Sequence, residues 1–472
     1  MGFGTKRGAA CTFKTMGNAS VQLAVAGKPI LTTDPWLKGR AYFDSWALHH
    51  PMSDEEIQSA FDSEYLWISH GHPDHLHHES LEMMPKGKKV LLPNHYHDEI
   101  SQSLKDDGFD VEVMQYRKWY KLHDQLDILC LDNINQDAIL VMRFGDALLI
   151  NLNDSPLCGE LGFLKKLIKQ HPNDKTFAFK LVGISADMLN FVDDNGVRTI
   201  DPPENYKMGC VQGAADELAS LGVKHFCLSS SQHIFVRSDS QWANEYEFTY
   251  EDICRHWNQP SVKVIEPFIT YDVSARDYKL DWPSGKADSR QLLDDTGCDN
   301  WEDTLSDEEW GRVTQFFSQF ETLDDIVDFV DVEVGGERRQ VFAAKKQRKK
   351  PRGVRFFVPR YSLLETIQWG YFDDLLIGNF MKTQLVNMRL YPDFSPRLAK
   401  YGGNAKVYSK KALKEMYSHY FWRNPLGVAA FMFRNYWYSR VVRDAADWTE
   451  SIGIKGPIKF LYNIIRHPLK RL

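Results

Sequence analysis

The sequence predicts an α/β (α+β) protein that is divided into two domains. Between residues 89 and 150, short apolar strands alternate with helical turns, as in the run Val90-Leu-Leu-Pro that precedes a helix from about His97 to Lys105. The chain has 472 residues, which is long for one domain. Its composition changes near residue 283, where Pro-Ser-Gly-Lys precedes an acidic run. We therefore expect one domain over residues 1–285 and a second over residues 286–472.

The overall composition is that of a globular protein without a strong global charge. The chain has 57 basic and 64 acidic residues and a net charge of −7, so no global field attracts nucleic acid. Its seven cysteines are scattered and never spaced as Cys-x-x-Cys, which argues against a disulfide framework and predicts a reducing compartment. No signal-peptide pattern and no apolar run of about 18 residues occur. We expect a cytoplasmic protein that is either free or peripheral at a membrane.

An apolar strand over residues 65–68 runs into a loop that is rich in potential metal ligands. The loop carries His70, His72, Asp74 and His75. Imidazole nitrogens and a carboxylate oxygen suit borderline cations such as zinc or iron. The spacing lets His70 and His72 bind one ion while Asp74 and His75 turn toward a second. The alternative is a polar surface loop.

This loop resembles the signature of the metallo-β-lactamase superfamily, Ser/Thr-His-x-His-x-Asp-His. The resemblance implies an αββα sandwich with a one- or two-metal site at one edge, followed here by a smaller mixed or helical C-terminal domain. A run that begins Asp34-Pro-Trp-Leu, followed by Trp46 and Pro51, resembles the CMP-N-acetylneuraminate hydroxylase family more narrowly. The later string Trp369-Gly-Tyr-Phe-Asp-Asp-Leu-Leu-Ile-Gly resembles the C-terminal part of the same family.

The same resemblance implies two further metal ligands. Asp154 stands at the end of an apolar strand, as does the superfamily aspartate that bridges both metals. The alternative is that Asp154 caps the following helix. His233 follows a later strand, where the fold supplies its last ligand to the second metal; the alternative is an ordinary turn histidine. If the protein is a metal-dependent hydrolase, Asp74 or Asp154 would orient the nucleophile.

The superfamily normally has another ligand histidine before the aspartate that bridges both metals, and the corresponding region of this sequence has no histidine. Register against the hydroxylase family places Asn133 at its position, with Asp132 or Asp137 as carboxylates within reach. A site in which oxygen replaces one imidazole favours iron, two or one per chain, or manganese over zinc. Alternatively, the first metal is weakly held or absent. Asn18 stands where the superfamily often has another histidine, and it fits a turn role as well as a role at the site.

Four other residues are candidates for supporting roles. Trp36 and Trp46 lie in an aromatic loop that could exclude water and shape a substrate pocket, unless they simply pack at the surface. Arg237 offers a fork for a phosphate or carboxylate of a substrate, with a solvated arginine as the alternative. Asp34 ends a strand beside the histidine loop, where it could hydrogen-bond a ligand histidine.

The C-terminal tail has the pattern of a membrane-surface helix. From Lys455 onward it contains five Lys/Arg and no acidic residue. Phe460, Leu461, Ile464 and Ile465 lie between these at helical spacing, which fits an amphipathic helix on an anionic membrane. The alternative is a helix docked on its own domain with a basic outer face, and the pattern slightly favours it.

Three functions are compatible with these features. The first is a non-haem iron oxygenase, a hydroxylase acting on a polar small molecule that could contain a sugar or nucleotide. The hydroxylase family carries a Rieske domain with paired Cys and His ligands; because no such pairs exist here, we expect electrons from a separate ferredoxin or reductase. The second is a metal-dependent hydrolase of phosphodiester, lipid phosphodiester or lactone type that uses a metal-bound water, with zinc or manganese as the alternative metals. The third is a scaffold with a crippled site, suggested by Asn18 and Asn133.

Overall fold

The computed structural model describes residues 10–97, 99–171, 174–183, 189–283, 299–388, 400–403 and 405–433. The strands in chain order are β1 (Cys11–Gly17), β2 (Ser20–Val25), β3 (Lys28–Thr33), β4 (Arg40–Ala41), β5 (Trp46–Leu48), β6 (Tyr65–Trp67), β7 (Lys89–Pro93), β8 (Asp110–Met114), β9 (Trp119–His123), β10 (Leu126–Asp132), β11 (Ala138–Phe144), β12 (Ala147–Asn153), β13 (Thr176–Lys180), β14 (His225–Leu228), β15 (His233–Phe235), β16 (Lys263–Ile265), β17 (Ile269–Asp272), β18 (Asp277–Leu280), β19 (Phe329–Val334), β20 (Glu337–Ala343), β21 (Gly353–Phe357) and β22 (Lys382–Val386). The α-helices are α1 (Asp54–Asp62), α2 (His78–Glu82), α3 (Glu99–Asp106), α4 (Leu161–Gln170), α5 (Pro203–Leu221), α6 (Tyr250–His256), α7 (Asp307–Ser318), α8 (Arg360–Trp369), α9 (Phe372–Ile377), α10 (Lys400–Gly403), α11 (Lys410–Phe421) and α12 (Pro425–Met432).

Two large sheets pack face to face in the N-terminal part. One has eight strands in the order β18-β17-β1-β2-β3-β6-β7-β8, and the other has seven in the order β16-β14-β13-β12-β11-β10-β9. Strand β10 shows why the sheets stack: Ile128 and Cys130 lie in the core between the sheets, whereas Leu129 and Leu131 pack in the cluster beneath α4 and α5. Because side chains alternate along a strand, both faces of the sheet are covered.

Helices cover the outer face of each sheet. Helices α1, α2 and α3 pack on the eight-stranded sheet through a separate apolar cluster that includes Ile57, Leu81 and Leu104. Helices α4, α5 and α6 cover the seven-stranded sheet. The layers are therefore helix, sheet, sheet and helix, which is the αββα sandwich that the resemblance implies.

The C-terminal part has its own sheet and core. Four strands in the order β20-β19-β21-β22 pack with α7, α8 and α9 around an aromatic-rich cluster centred on Phe317, Phe356 and Phe372. This agrees with the smaller mixed domain that the sequence predicts. The boundary predicted between residues 285 and 286 lies in the segment 284–298, outside the described residues, and stays a prediction.

Some element bounds differ from the sequence predictions. The first hairpin turns at Ala26 and Gly27, both with positive φ (+52° and +78°), so β3 starts at Lys28. Helix α3 begins at Glu99, shortly after the predicted start near His97. The tail from Lys455 onward lies outside the described residues. Among the residues that the structure describes, no helix has both the length and the hydrophobicity needed to cross a membrane.

Candidate metal centre

The histidine loop leaves the C-terminal end of β6, where neighbouring strands hold its first residue. Ser69 donates from its amide and its hydroxyl to Asp34 Oδ1, at 2.7 and 2.9 Å. His95 Nε2 donates to the carbonyl of Ser69 at 3.0 Å. Asp34 is fully buried and follows β3, which is parallel to β6, so two strand ends meet at the start of the loop. These contacts fix the start of the loop without involving the candidate ligand side chains.

Three groups of side chains bring potential ligand atoms within 4.8 Å of one another. The groups are His70, His72 and Asp154; Asp74, His75 and Asp154; and His72, Asp373 and Asp374. Asp154 belongs to two groups, which is the position of the bridging aspartate that the resemblance implies. His72 also belongs to two groups.

The distances within these groups are short. His70 Nε2 lies 2.8 Å from His72 Nδ1, and His72 Nε2 lies 2.9 Å from Asp373 Oδ2. His75 Nε2 lies 3.2 Å from Asp74 Oδ2 and 3.3 Å from Asp154 Oδ2.

The donor set fits a metal cation. Four carboxylates face three imidazoles, and the Oδ1 atoms of Asp154, Asp373 and Asp374 are buried without a hydrogen-bond partner among the described residues. Burial and the neighbouring Asp373 carboxylate hold the pKa of Asp374 well above its usual range. Buried carboxylates at this density repel one another unless a positive charge lies between them.

Asp373 and Asp374 are the site residues that the sequence analysis missed. They lie in the first turn of α9, 301 residues from His72 in the case of Asp373. Ser45 Oγ donates to the carbonyl of Gly378 and Asn190 Nδ2 to that of Leu376, so the N-terminal part fixes α9 at its far end. The available signal was the pair of consecutive aspartates in a string already noted for its resemblance to the hydroxylase family.

Asp34 lies beside a candidate ligand, His75, and its predicted supporting role stays a prediction. Its Oδ2 accepts from Asn153 Nδ2 at 2.6 Å and lies 3.4 Å from His75 Nδ1. Because the Nδ1 side of His75 faces Asp34, Ser69 and Asn153, its Nε2 atom points to Asp74 and Asp154. Such outer contacts set the orientation of an imidazole ligand.

Asp74 is held by two donors from the first strands. Asn18 Nδ2 donates to its Oδ2 at 3.0 Å, and the Tyr42 hydroxyl donates to its Oδ1 at 2.5 Å. Asn18 is thus both a turn residue, with φ +37°, and a contact of the site. Burial alone would raise the pKa of Asp74, but His75, with Tyr42 and His72, holds it well below its usual range.

Tyr42 reaches Asp74 from an unusual backbone. Tyr42, Phe43 and Asp44 have φ values of +55°, +56° and +61°, one after another. Each non-glycine residue in this left-handed region costs about 1–2 kcal/mol, and consecutive ones are rare. Arg237 Nη1 donates to the carbonyl of Phe43 at 3.1 Å, which helps to hold the turn. The strained turn aims the tyrosine hydroxyl at the candidate ligand.

We expect Tyr42→Phe to weaken metal binding about 10- to 100-fold, because Asp74 keeps its place but loses the hydroxyl that orients it. Tyr278→Phe is a matched control, because Tyr278 lies on β18 and its hydroxyl donates to Glu266 at 2.9 Å. Competition with a chromogenic chelator measures both affinities. Equal affinity in the two variants would show that the Tyr42 hydroxyl does not position Asp74.

Asp132 and Asn133 lie in other interactions. Asp132 pairs with Arg423 and belongs to none of the three ligand groups among the described residues. Burial raises its pKa to about 7, and Arg423 opposes that rise. Asn133 donates from Nδ2 to Ser155 Oγ at 2.7 Å. The geometry therefore gives no support to a ligand role for either residue; the ligand groups take their additional oxygen donors from Asp373 and Asp374.

His233 lies at the wall of the site and outside the three ligand groups. Its ring stacks on Trp46, with centroids 3.5 Å apart and planes at 3°. Burial lowers its pKa to about 3, so it is neutral, and its buried Nδ1 atom has no hydrogen-bond partner among the described residues. The predicted ligand role of His233 stays a prediction, and the geometry supports a role in the wall.

Trp36 and Arg237 are not placed to meet a substrate. Trp36 is fully buried and stacks on His77, away from the cavity described below. Arg237 is buried as well: its Nε and Nη2 atoms donate to Asp239 at 2.9 and 2.8 Å, and Nη1 donates to Asp299 at 3.0 Å. The fork that was predicted for substrate thus binds the protein's own carboxylates.

A cavity of about 480 Å³ opens beside the ligand groups. Its inner end is lined by His72, Asp74, Asp154 and Asp373, with Trp46 and His233 as an aromatic wall. Its outer side is one face of α5. The residues of that face are Tyr206, Cys210, Gly213, Ala214 and Glu217. Their spacing is helical, and the small residues in the middle leave the space that the cavity occupies.

Comparisons with known proteins give distant matches. No model of a known protein family matches the chain. Over 138 residues, 27% of the chain and 23% of the relative, it is 25% identical to the cytidine monophosphate-N-acetylneuraminic acid hydroxylase of Danio rerio. Over 118 residues, 24% of the chain, it is 25% identical to the hydroxylase of the same name from Asterias rubens, of which 18% is covered. The matched part thus spans less than a quarter of each relative.

Solved structures with a similar chain path include both hydrolases and a hydroxylase. An isothiocyanate hydrolase from Delia radicum gut bacteria is 13% identical, with a TM-score of 0.38, and the match covers 56% of this chain and 100% of that one. A variant of the CmlA beta-hydroxylase is 14% identical, with a TM-score of 0.34, covering 57% of this chain and 55% of that one. The metallo-beta-lactamase fold protein YhfI from Bacillus subtilis is 8% identical, with a TM-score of 0.33, covering 56% and 99%. The αββα layers and the histidine loop agree with the metallo-β-lactamase fold that the resemblance implies, and the ligand groups form a candidate metal site.

Proposed function

We propose that this protein is a non-haem iron hydroxylase that acts on a polar small molecule and receives electrons from a separate ferredoxin or reductase. The observation that carries the proposal is the pair Asp373 and Asp374 beside His72, which makes the site rich in oxygen donors. The group of His70, His72 and Asp154 also has the two-histidine, one-carboxylate composition that is typical of non-haem iron oxygenases. Zinc sites are built more often on three histidines or on thiolates.

The chain's own residues would have separate tasks in such an enzyme. Bound iron would supply the activation of dioxygen. Asp154 would join the two ligand groups, while Asp34 and Tyr42 would fix His75 and Asp74. The stacked pair of Trp46 and His233 would exclude water from one side of the site.

The cavity supports a small-molecule substrate with polar groups. Its volume of about 480 Å³ lies within the usual range for such sites. Near α5, Lys180 and Glu217 form an ion pair of 3.0 Å in its wall, and Ser230 and Ser231 line another side. The names of the two curated relatives support a substrate that contains a sugar or a nucleotide.

Metal analysis with an optical spectrum tests the proposal. Protein that is purified without oxygen and loaded with Fe(II) should retain about one or two irons per chain and develop a ligand-to-metal absorption band after exposure to air. Colourless zinc protein that cleaves bis(p-nitrophenyl) phosphate would contradict the proposal and favour the hydrolase. Protein that binds no metal under either condition would favour the scaffold.

The carboxylate pair should decide which metal is preferred. We expect Asp373→Asn/Asp374→Asn to lower the ratio of iron to zinc affinity by about tenfold or more, because hard oxygen donors favour iron. The matched control is Asp324→Asn/Asp325→Asn, a second pair of aspartates in the short 3-10 helix Leu323–Asp325. Titration of both metals into each variant measures the ratio. An unchanged ratio of iron to zinc affinity in the first variant would show that Asp373 and Asp374 do not select the metal, and would contradict the proposal.

A further inference from the structure

The last two described helices present an apolar face to solvent. Trp422, Leu426 and Phe433 are 76%, 86% and 57% exposed. Leu426 and Phe433 are seven residues apart and lie on one side of α12, and Trp422 lies in the turn that joins α11 to α12. Ala429 and Ala430 are exposed on the same stretch. We call these five residues the apolar face.

Helix α12 has no polar side that could face the solvent instead of the apolar face. Its sequence from Pro425 to Met432 is Pro-Leu-Gly-Val-Ala-Ala-Phe-Met, without a charged or hydrogen-bonding side chain. Val428 is buried against the domain while Leu426 points away from it. A surface helix normally turns a polar side outward. A contiguous exposed apolar patch marks a contact surface.

The segment around the apolar face is strongly basic, although the chain as a whole has a net charge of −7. Between residues 410 and 443 the only acidic residue is Glu415. The basic residues in that span are Lys410, Lys411, Lys414, Arg423, Arg434, Arg440 and Arg443. This local excess attracts an anionic surface, whereas the acidic remainder of the chain would be repelled by one.

The apolar face is fixed to the metal-binding domain. Arg423 pairs with Asp132 and donates to the carbonyl of Asn94 at 2.9 Å, and Asn424 Nδ2 donates to Glu160 at 2.8 Å. Gly159 approaches α12 so closely that a Cβ there would lie 2.3 Å from the Cα of Gly427. Whatever the apolar face contacts would therefore hold the metal-binding domain in one orientation.

We propose that the apolar face docks on an anionic lipid bilayer. Its aromatic and aliphatic side chains would enter the interfacial region, where tryptophan is favoured, while the exposed Lys411 and Lys414 of α11 would face the headgroups. This combination of apolar insertion and electrostatic attraction is that of a peripheral membrane protein. The proposal is independent of the proposed function.

Vesicle co-sedimentation of the full chain tests the proposal. Wild-type protein should bind phosphatidylcholine vesicles that contain about 30 mol% phosphatidylglycerol, and binding should weaken when salt rises from about 0.1 to 0.5 M. Trp422→Ala/Leu426→Ala should lower the bound fraction by about tenfold or more. Trp369→Ala is the matched control, because Trp369 is 61% exposed and lies outside the basic span. Its binding should equal that of the wild type.

Three outcomes would overturn the proposal. The wild type could fail to bind the anionic vesicles. Trp422→Ala/Leu426→Ala could bind as well as the wild type while deletion of residues 434–472 abolishes binding, which would assign the contact to the tail. The wild type could instead form a dimer without vesicles that Leu426→Ala dissociates, measured by sedimentation velocity, which would assign the apolar face to a second copy of the chain.

Discussion

Replacing Asp154 by alanine is expected to remove most of the bound metal while the fold stays intact. Asp154 contributes to the groups with His70 and His72 and with Asp74 and His75, so its loss affects both. Losses of outer contacts to a ligand cost about 10- to 100-fold in metal affinity, and the loss of a shared ligand should exceed that. The residue directly follows β12, whose own residues are all buried, so the strand does not depend on its carboxylate.

His72→Ala tests the same site from the histidine loop. His72 also belongs to two groups, and we expect a comparable loss of metal. His78→Ala is the control, because His78 is an exposed histidine only six residues further along. Elemental analysis gives the metal content, and circular dichroism with the thermal midpoint reports the fold. Unchanged metal content in either the Asp154 or the His72 variant would contradict the ligand assignment.

A site residue could be predicted when the other site residues lie close to it along the chain. His70, His72, Asp74 and His75 lie within six residues, so their chemistry is visible as a pattern. Asp373 has only Asp374 beside it, and the pair meets His72 only because the C-terminal part folds back against the loop. A ligand supplied by tertiary packing has no periodic signal in the sequence.

The same limit explains the residues whose geometry differs from prediction. Asp132 was predicted as a ligand from its place in the sequence, but it forms an ion pair with Arg423, 291 residues away. The sandwich itself could be predicted because strands of alternating or continuous apolar residues are local features.

Replacing Arg237 by alanine is expected to destabilise the protein by about 3–5 kcal/mol. The guanidinium is 1% exposed and joins Asp239, which follows β15, to Asp299 and the ring of Phe380 in the C-terminal part. Its removal would leave two carboxylates with reduced compensation in a low-dielectric environment. It would also free the carbonyl of Phe43, so the strained turn that carries Tyr42 should loosen and metal affinity should fall.

Denaturant unfolding compares this variant with Arg338→Ala, because the Arg338 side chain is 44% exposed and pairs with Glu333 at 2.7 Å. The control should change stability by less than about 1 kcal/mol, as exposed pairs do. Arg237→Lys should lie between the two, because one ammonium cannot replace the planar fork that serves Asp239 and Asp299 together. If Arg237→Ala were as stable as the control, the guanidinium would not be the link between the two parts. Asp373 and Asp374 would then depend for their position on the contacts of α9 with Ser45 and Asn190 alone.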